Sequence, residues 1–294
     1  LSKDRLAPRS GDFALAWEKF VKFLNNSKAG DHIQMATALI TGASSGIGKA
    51  FAQALAAQGK DLILVARSQG ALAALAADLS QRYGVQAWAI AQDLTEPNAA
   101  VTVADQVAAV TDSIDLLINN AGYGIHGAFA EGDRTAQLGM VQLNVLALVD
   151  LTYQFLPGMM QRGTGAVLNI ASTAAFQPMP YFAIYAATKA FVLSFSEALW
   201  VEGKDAGVQV LAVCPGPTET QFFKTAQFPD GLAQSTEQNY ETPEAVVKAA
   251  LEALAQGKAN VVTGGLVNQT LVNASRFLPR ELVVSGIGKI FKGE

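Results

Sequence analysis

The sequence predicts one doubly wound α/β domain, a parallel sheet of seven strands with helices on both faces. Three observations point there. The 294 residues are 50% hydrophobic and only 16% charged, enough to bury a large core and ordinary for a single α/β domain. Short apolar runs alternate along the chain with longer stretches whose apolar residues recur three and four apart. Most of the short runs are apolar throughout, as strands covered on both faces are.

Taken in order, residues 36–40 (ATALI) form the first strand, and a glycine-rich turn leads into a helical pattern over 46–58. The run DLILVA at 61–66 is the second strand, followed by a helical pattern over 70–83 whose apolar residues recur three and four apart. Residues 85–91 form the third strand and 97–111 the helix after it, with Val103 and Val107 one turn apart. A strand at 114–118 precedes a long helical pattern over 136–161, where Leu148, Leu151 and Phe155 keep the spacing. Residues 165–170 are the fifth strand, and 181–203 a helix with Val192, Phe195 and Leu199 on one side. The sixth strand spans 208–213, a helix follows at 243–256, and 260–263 is the seventh strand. No internal repeat or low-complexity linker interrupts this order, so one domain covers 35–294.

Charge and composition exclude several functions. Twenty-one basic against 25 acidic side chains give a net charge of -4, which offers no concentrated basic face for a nucleic acid. Cys214 is the only cysteine, and His32 and His126 the only histidines. An internal disulfide and a His/Cys zinc cluster are therefore excluded, and a reducing, cytoplasmic setting is expected. No apolar run approaches the roughly 18 residues of a membrane span, and the start lacks a basic-then-apolar signal pattern. The Asn-x-Ser/Thr triplets at Asn25, Asn268 and Asn273 are then chance matches.

The stretch TGASSGIG at 41–48 admits two readings. Gly42-x-Ser44-x-Gly46 is the spacing of a nucleophile elbow, but an elbow needs a sheet built ahead of it and a histidine after its acid. One strand precedes Ser44, and His126 is the only histidine downstream. The other reading needs a first strand, glycines that let backbone N–H groups approach a phosphate, and a helix whose positive end faces it. Those features are present, so the loop is expected to bind a dinucleotide through Gly42, Ser44, Ser45, Gly46, Ile47 and Gly48, with a spacing that departs from G-x-G-x-x-G.

From 37 to about 263 the sequence resembles the short-chain dehydrogenase/reductase family. The resemblance rests on an ordered set: TGASSGIG, Asp93 after the third strand, NNAG at 119–122, Asn144, Ser172, YAATK at 185–189 and PGPTET at 215–220. It implies a Rossmann fold, a nicotinamide cofactor and a homo-oligomer. It also implies roles: Tyr185 protonates the substrate oxygen, Ser172 hydrogen-bonds the same oxygen, Lys189 holds the nicotinamide ribose, and Asn144 supports a water-linked proton path. Asp93, with Leu94 beside it, would bond the adenine amino group. Asn120, Ala121 and Gly122 would pack near the adenine ribose, and Pro215, Gly216, Thr218 and Thr220 would complete the cofactor site. The chemistry stands on its own as well. Hydride transfer to a carbonyl leaves charge on oxygen, so a proton donor and a hydrogen-bond clamp are needed there. A free phenol titrates near 10, and Lys189, one helical turn beyond Tyr185, is expected to lower that value.

Cofactor choice turns on the end of the second strand, where an acid would accept from a free 2'-hydroxyl. Here the chain reads Ala66-Arg67-Ser68. A guanidinium suits a phosphate, Ser68 and Ser44 add hydroxyls, and NADP(H) is favoured. After PGPTET, residues 217–242 carry Phe222, Phe223, Phe228 and Tyr240 and are expected to form an aromatic lid. With Tyr123, Met179, Phe182 and Tyr181, one turn before Tyr185 and read as a pocket wall, it suggests a site for an apolar ketone, aldehyde or secondary alcohol. The apolar stretch 266–291 either closes that pocket or covers a subunit interface. Residues 1–34 lie outside the resemblance. They carry a helical stripe of Phe13, Trp17, Phe20, Val21 and Leu24, expected to pack on its own domain or a partner subunit. Two functions follow: an NADP(H)-dependent carbonyl reductase or alcohol dehydrogenase, and a nucleotide-sensing protein without turnover. Intact Ser172, Tyr185 and Lys189 favour the first.

Overall fold

The computed structural model describes residues 36–228, 240–274 and 277–292. The chain divides into two units, 1–33 and 34–294. The expected stripe at 13–24, and residues 229–239 of the expected lid, lie outside the described residues.

Seven parallel strands form one sheet in the order β3-β2-β1-β4-β5-β6-β7. They are β1 (Thr37–Thr41), β2 (Asp61–Ala66), β3 (Ala87–Ala91), β4 (Leu116–Asn119), β5 (Gly165–Ile170), β6 (Val208–Cys214) and β7 (Asn260–Val262). Helices α1 (Gly46–Ala56), α2 (Gln69–Tyr83) and α3 (Ala99–Ala108) connect the first four strands. The link from β4 to β5 holds α4 (Arg134–Val141), a π-helical turn (Gln142–Ala147) and α5 (Leu148–Arg162). Helix α6 (Ala183–Lys204) joins β5 to β6. A short α7 (Phe222–Thr225) and then α8 (Pro243–Ala255) lead to β7, and α9 (Gly265–Ala274) and α10 (Arg280–Lys292) follow it.

The all-apolar strands explain the layering. Leu39, Ile40, Leu62, Ile63, Leu64, Leu116, Leu117 and Ile118 are fully buried, which requires helices over both faces. Strand order reverses between β1 and β4, both of which leave the sheet at the same edge. In open α/β sheets the crevice at that switch point is where ligands bind. Thr41 builds its floor: its hydroxyl donates to the Ile118 carbonyl (3.2 Å) and accepts from the N–H groups of Asn120 (2.9 Å) and Ala121 (3.0 Å).

Two expected helices differ from the pattern. The stretch at 136–161 starts earlier, because the Asp133 carboxylate caps it by accepting from Ala136 N–H (2.7 Å), and its regular winding is broken by the π turn around Asn144. Periodicity of 3.6 does not register one inserted residue. By length and composition, Arg134–Arg162 is also apolar enough to cross a membrane, with a mean hydropathy of 1.2 in its most apolar window, although charged and polar residues interrupt it. Met140, Leu148, Leu151, Leu156 and Met159 from this stretch are buried in the fold. The second difference is at Tyr181, which stands before the helix and not on it: its φ is 62°, and α6 begins at Ala183.

Candidate active site

The loops leaving the strands at their C-terminal ends line one cleft of about 1350 Å³. From β1 come Gly42, Ser44, Ser45, Gly46 and Ile47; from β2, Arg67 and Ser68; from β3, Asp93 and Leu94. Strand β4 supplies Asn120, Ala121 and Gly122, and β5 supplies Ser172. Pro215, Gly216, Thr218, Thr220, Phe222 and Phe223 follow from β6, and α6 contributes Tyr185 and Lys189. A dinucleotide needs a crevice of this extent at this edge.

The turn after β1 has the close backbone approach and open helix start that a phosphate needs. Gly42 has φ +65°, and a Cβ there would lie 2.8 Å from Asn120 Nδ2. Gly48 does not face the cleft; a Cβ on it would fall 2.3 Å from the Gly42 carbonyl, so its absence lets α1 start directly against the turn. Ser45 is the N-cap of α1, and its side chain makes no capping bond. The first N–H groups of α1 therefore remain available to an anion, reinforced by the helix dipole. The residues present fit a nicotinamide dinucleotide.

At the rim, Arg67 is exposed and forms no ion pair among the described residues. Asp93 accepts from Thr95 through both its N–H (2.9 Å) and its hydroxyl (2.7 Å). Burial pushes this carboxyl up, but those two bonds and the nearby Arg67 outweigh it and hold the acid below its usual range.

Deeper in, Tyr185 and Lys189 are both buried. Lys189 Nζ donates to the Ile170 carbonyl (2.7 Å) and lies 5.7 Å from the centre of the Tyr185 ring. Burial lowers the lysine to about 8. The phenol departs from the expectation that the lysine would lower it: burial pushes it up to about 12, offset in part by the nearby Ser172 hydroxyl. The physical reason is that the same enclosure desolvates both groups, and the cation that was to stabilise a phenolate is itself disfavoured. Ser172, at the end of β5, also accepts from Ala174 N–H (3.1 Å).

Asn144 lies behind the cleft wall. Its Oδ1 accepts from Tyr123 N–H (3.1 Å), and its Nδ2 donates to the Tyr123 carbonyl (2.9 Å) and to Thr188 Oγ1 (3.1 Å). The Thr188 hydroxyl in turn donates to the Tyr185 carbonyl (2.7 Å). The π turn directs the amide into a buried brace between the loop after β4 and the helix bearing Tyr185. Thr188 was not singled out in the sequence, although it sits inside YAATK.

The far end of the cleft is aromatic. Phe222 lies 5.2 Å and Phe182 4.4 Å from the Tyr185 ring, and Phe228 is 5.1 Å from Phe182. Tyr181 is absent from this wall. Its left-handed backbone turns it away to stack on His126 at 6.3 Å, and Phe182 takes the place expected of it. The C-terminal helices reach the same cleft through Asn268, Val272, Ile290 and Phe291.

A family model described as short chain dehydrogenase matches residues 36–229. The chain belongs to the short-chain dehydrogenase/reductase family. Its sequence is 32% identical over 247 residues to a very-long-chain 3-oxoacyl-CoA reductase of Bos taurus, covering 82% of this chain and 75% of that one. A short-chain dehydrogenase from Sphingobium yanoikuyae, solved in complex with NADPH, is 35% identical with a TM-score of 0.75, over 85% of this chain and 95% of that one. A bulky-bulky ketone specific alcohol dehydrogenase from Comamonas testosteroni is 32% identical with a TM-score of 0.68, over 83% and 99%. The family makes this chain an oxidoreductase of the hydroxyl/carbonyl pair that works with NAD(P)(H).

Proposed function

We propose that the protein is an NADP(H)-dependent reductase of apolar ketones, with Tyr185 as the general acid. The observation that carries this reading is a buried phenol with the Ser172 hydroxyl near it and Lys189 beside its ring, standing between a dinucleotide crevice and an aromatic pocket.

Gly42, Ser45 and the first turn of α1 would hold the cofactor's pyrophosphate, Asp93 and Asn120 to Gly122 its adenosine end, and Lys189 its nicotinamide ribose. Arg67, exposed where an acid would select against a 2'-phosphate, supports NADP(H) over NAD(H). When bound, the cofactor supplies a hydride. The protein's own part is electrostatic and protonic. Ser172 clamps the carbonyl oxygen, and the raised phenol keeps its proton through the neutral range, available to that oxygen as charge develops. Lys189 places a cation at the phenol as the proton leaves. The phenylalanine rings exclude water and fit an apolar substituent. The names of two relatives, a 3-oxoacyl-CoA reductase and a bulky-ketone alcohol dehydrogenase, support a ketone as substrate.

NADPH consumption against a panel of short aliphatic, aryl and bulky alicyclic ketones tests the reading. Turnover in the wild type should fall about 10²-fold or more in Tyr185→Phe, which keeps the ring and loses the proton. Near-normal turnover in that variant refutes Tyr185 as acid. Tight NADPH binding with no turnover on any ketone or aldehyde would instead favour a nucleotide-sensing protein.

A further inference from the structure

His126 takes no part in the chemistry above, yet it touches three elements that frame the pocket. Its N–H donates to the Ala226 carbonyl just after α7 (2.8 Å). Its ring lies 5.0 Å from Phe228 and 6.3 Å from Tyr181. Its Nε2 lies 2.9 Å from the carbonyl of Phe291, 165 positions away in the chain. A carbonyl only accepts, so Nε2 carries the proton. Phe291 is in the last turn of α10, whose final carbonyls have no partner within the helix. His126 therefore caps a helix remote in sequence.

None of the side chains of helix α10 is fully buried, and Leu282 and Ile290 are 66% and 60% exposed. Its inner face is half-buried at Val283, Val284, Ile287, Gly288 and Phe291, and a Cβ at Gly288 would lie 3.4 Å from Pro180. The Phe291 ring is 6.4 Å from Phe182 and 5.9 Å from Phe228, and it lines the cleft. A helix with no fully buried side chain opens easily, so a well-placed polar tie near its end bears on its position.

We propose that His126 is a positioning residue for substrate selectivity: by tying α10 at the Phe291 carbonyl, it sets Phe291 as the outer wall of the pocket and so favours ketones large enough to reach it. This rests on the carbonyl-reductase reading. A short ketone would reach only Ser172, Tyr185 and Phe182, whereas a bulky one would also lean on Phe291.

The test compares wild type, His126→Phe, His126→Gln and Phe291→Ala. Phenylalanine keeps the ring packing and removes the donor; glutamine restores an N–H near Nε2. The ratio of kcat/KM for a bulky alicyclic ketone to that for a short aliphatic one should fall about ten-fold in His126→Phe and Phe291→Ala, the scale of one lost apolar contact in a pocket. The change should lie mainly in KM for the bulky ketone, and His126→Gln should recover most of it. In parallel, release of the C-terminal peptide by trypsin at Arg280 or Lys289, followed by mass spectrometry with NADPH binding as the check on folding, should be faster in His126→Phe than in wild type or His126→Gln. Equal losses for short and bulky ketones, or no recovery with glutamine, overturn the selectivity role. Equal trypsin rates overturn the tie itself. Absence of turnover on every ketone in the wild type overturns the reductase reading and the selectivity role with it, while the trypsin comparison still decides whether the tie exists.

Discussion

Replacing Lys189 with methionine tests whether burial governs the core of the site. In the folded protein the ammonium is lowered to about 8, whereas the usual value is 10.5. Between those values the unfolded chain binds more protons than the folded one, so stability rises with pH across that window. The interval from about 8 to 10.5, at about 1.4 kcal/mol per pH unit, amounts to about 3 kcal/mol. Tyr185 acts in the opposite sense. Its phenol is raised to about 12 from 10, so its contribution is intact below 10 and is lost as pH rises through 12. Measurement from pH 7 to about 9.5 stays below the range of the phenol and captures about 2 kcal/mol of the lysine's effect, while Cys214, raised from 9.0 to about 12, begins to act above 9 but is common to wild type and variant. Urea unfolding of protein purified free of cofactor, at four pH values, gives the stability of wild type and Lys189→Met. The wild type should gain on the variant by about 2 kcal/mol as pH rises across this range. A difference that stays constant with pH refutes burial as what lowers the lysine.

Arg67→Ala should weaken NADPH binding by about 1.5 to 3 kcal/mol at low salt and leave NADH nearly unchanged, with the preference shrinking as salt rises because the guanidinium is exposed; equal weakening of both cofactors by fluorescence titration would reduce Arg67 to a general loop contact. Gly48→Ala should destabilise the fold by at least about 1 to 3 kcal/mol and abolish tight cofactor binding, since the added carbon would meet the Gly42 carbonyl at 2.3 Å; a wild-type Tm would contradict that geometry. Thr188→Val removes the hydroxyl between Asn144 and the Tyr185 carbonyl, so kcat should fall several-fold and Thr188→Ser should restore it; equal kcat in all three means the brace does not position Tyr185.

Much of the cofactor crevice was legible because its determinants are local. TGASSGIG declares a strand, a turn and a helix within eight residues, and Ala66-Arg67-Ser68 occupies the end of a strand visible from its apolar run. The Tyr185–Lys189 pair is likewise one helical turn. Other features were not legible because they depend on how one added residue or one backbone angle redirects a side chain. The π turn sends Asn144 into the brace with Thr188, although helical spacing reads straight through it. Tyr181 keeps an apparent place on the helical face of Tyr185, but its φ of 62° puts it before the helix and against His126.

What the sequence by itself determined is the fold class, strand order along the chain, the family, and the residues at the ends of the strands, since hydrophobic period and short motifs are properties of neighbours in the chain. The tertiary structure alone decided the ionisation of the site and the composition of its outer wall. The phenol at about 12 and the lysine at about 8 follow from enclosure by several elements at once, and no motif carries a degree of burial. Phe291 and His126 meet across 165 residues; only the return of α10 to the cleft puts them side by side, because a contact of that separation is set by packing and not by propensity.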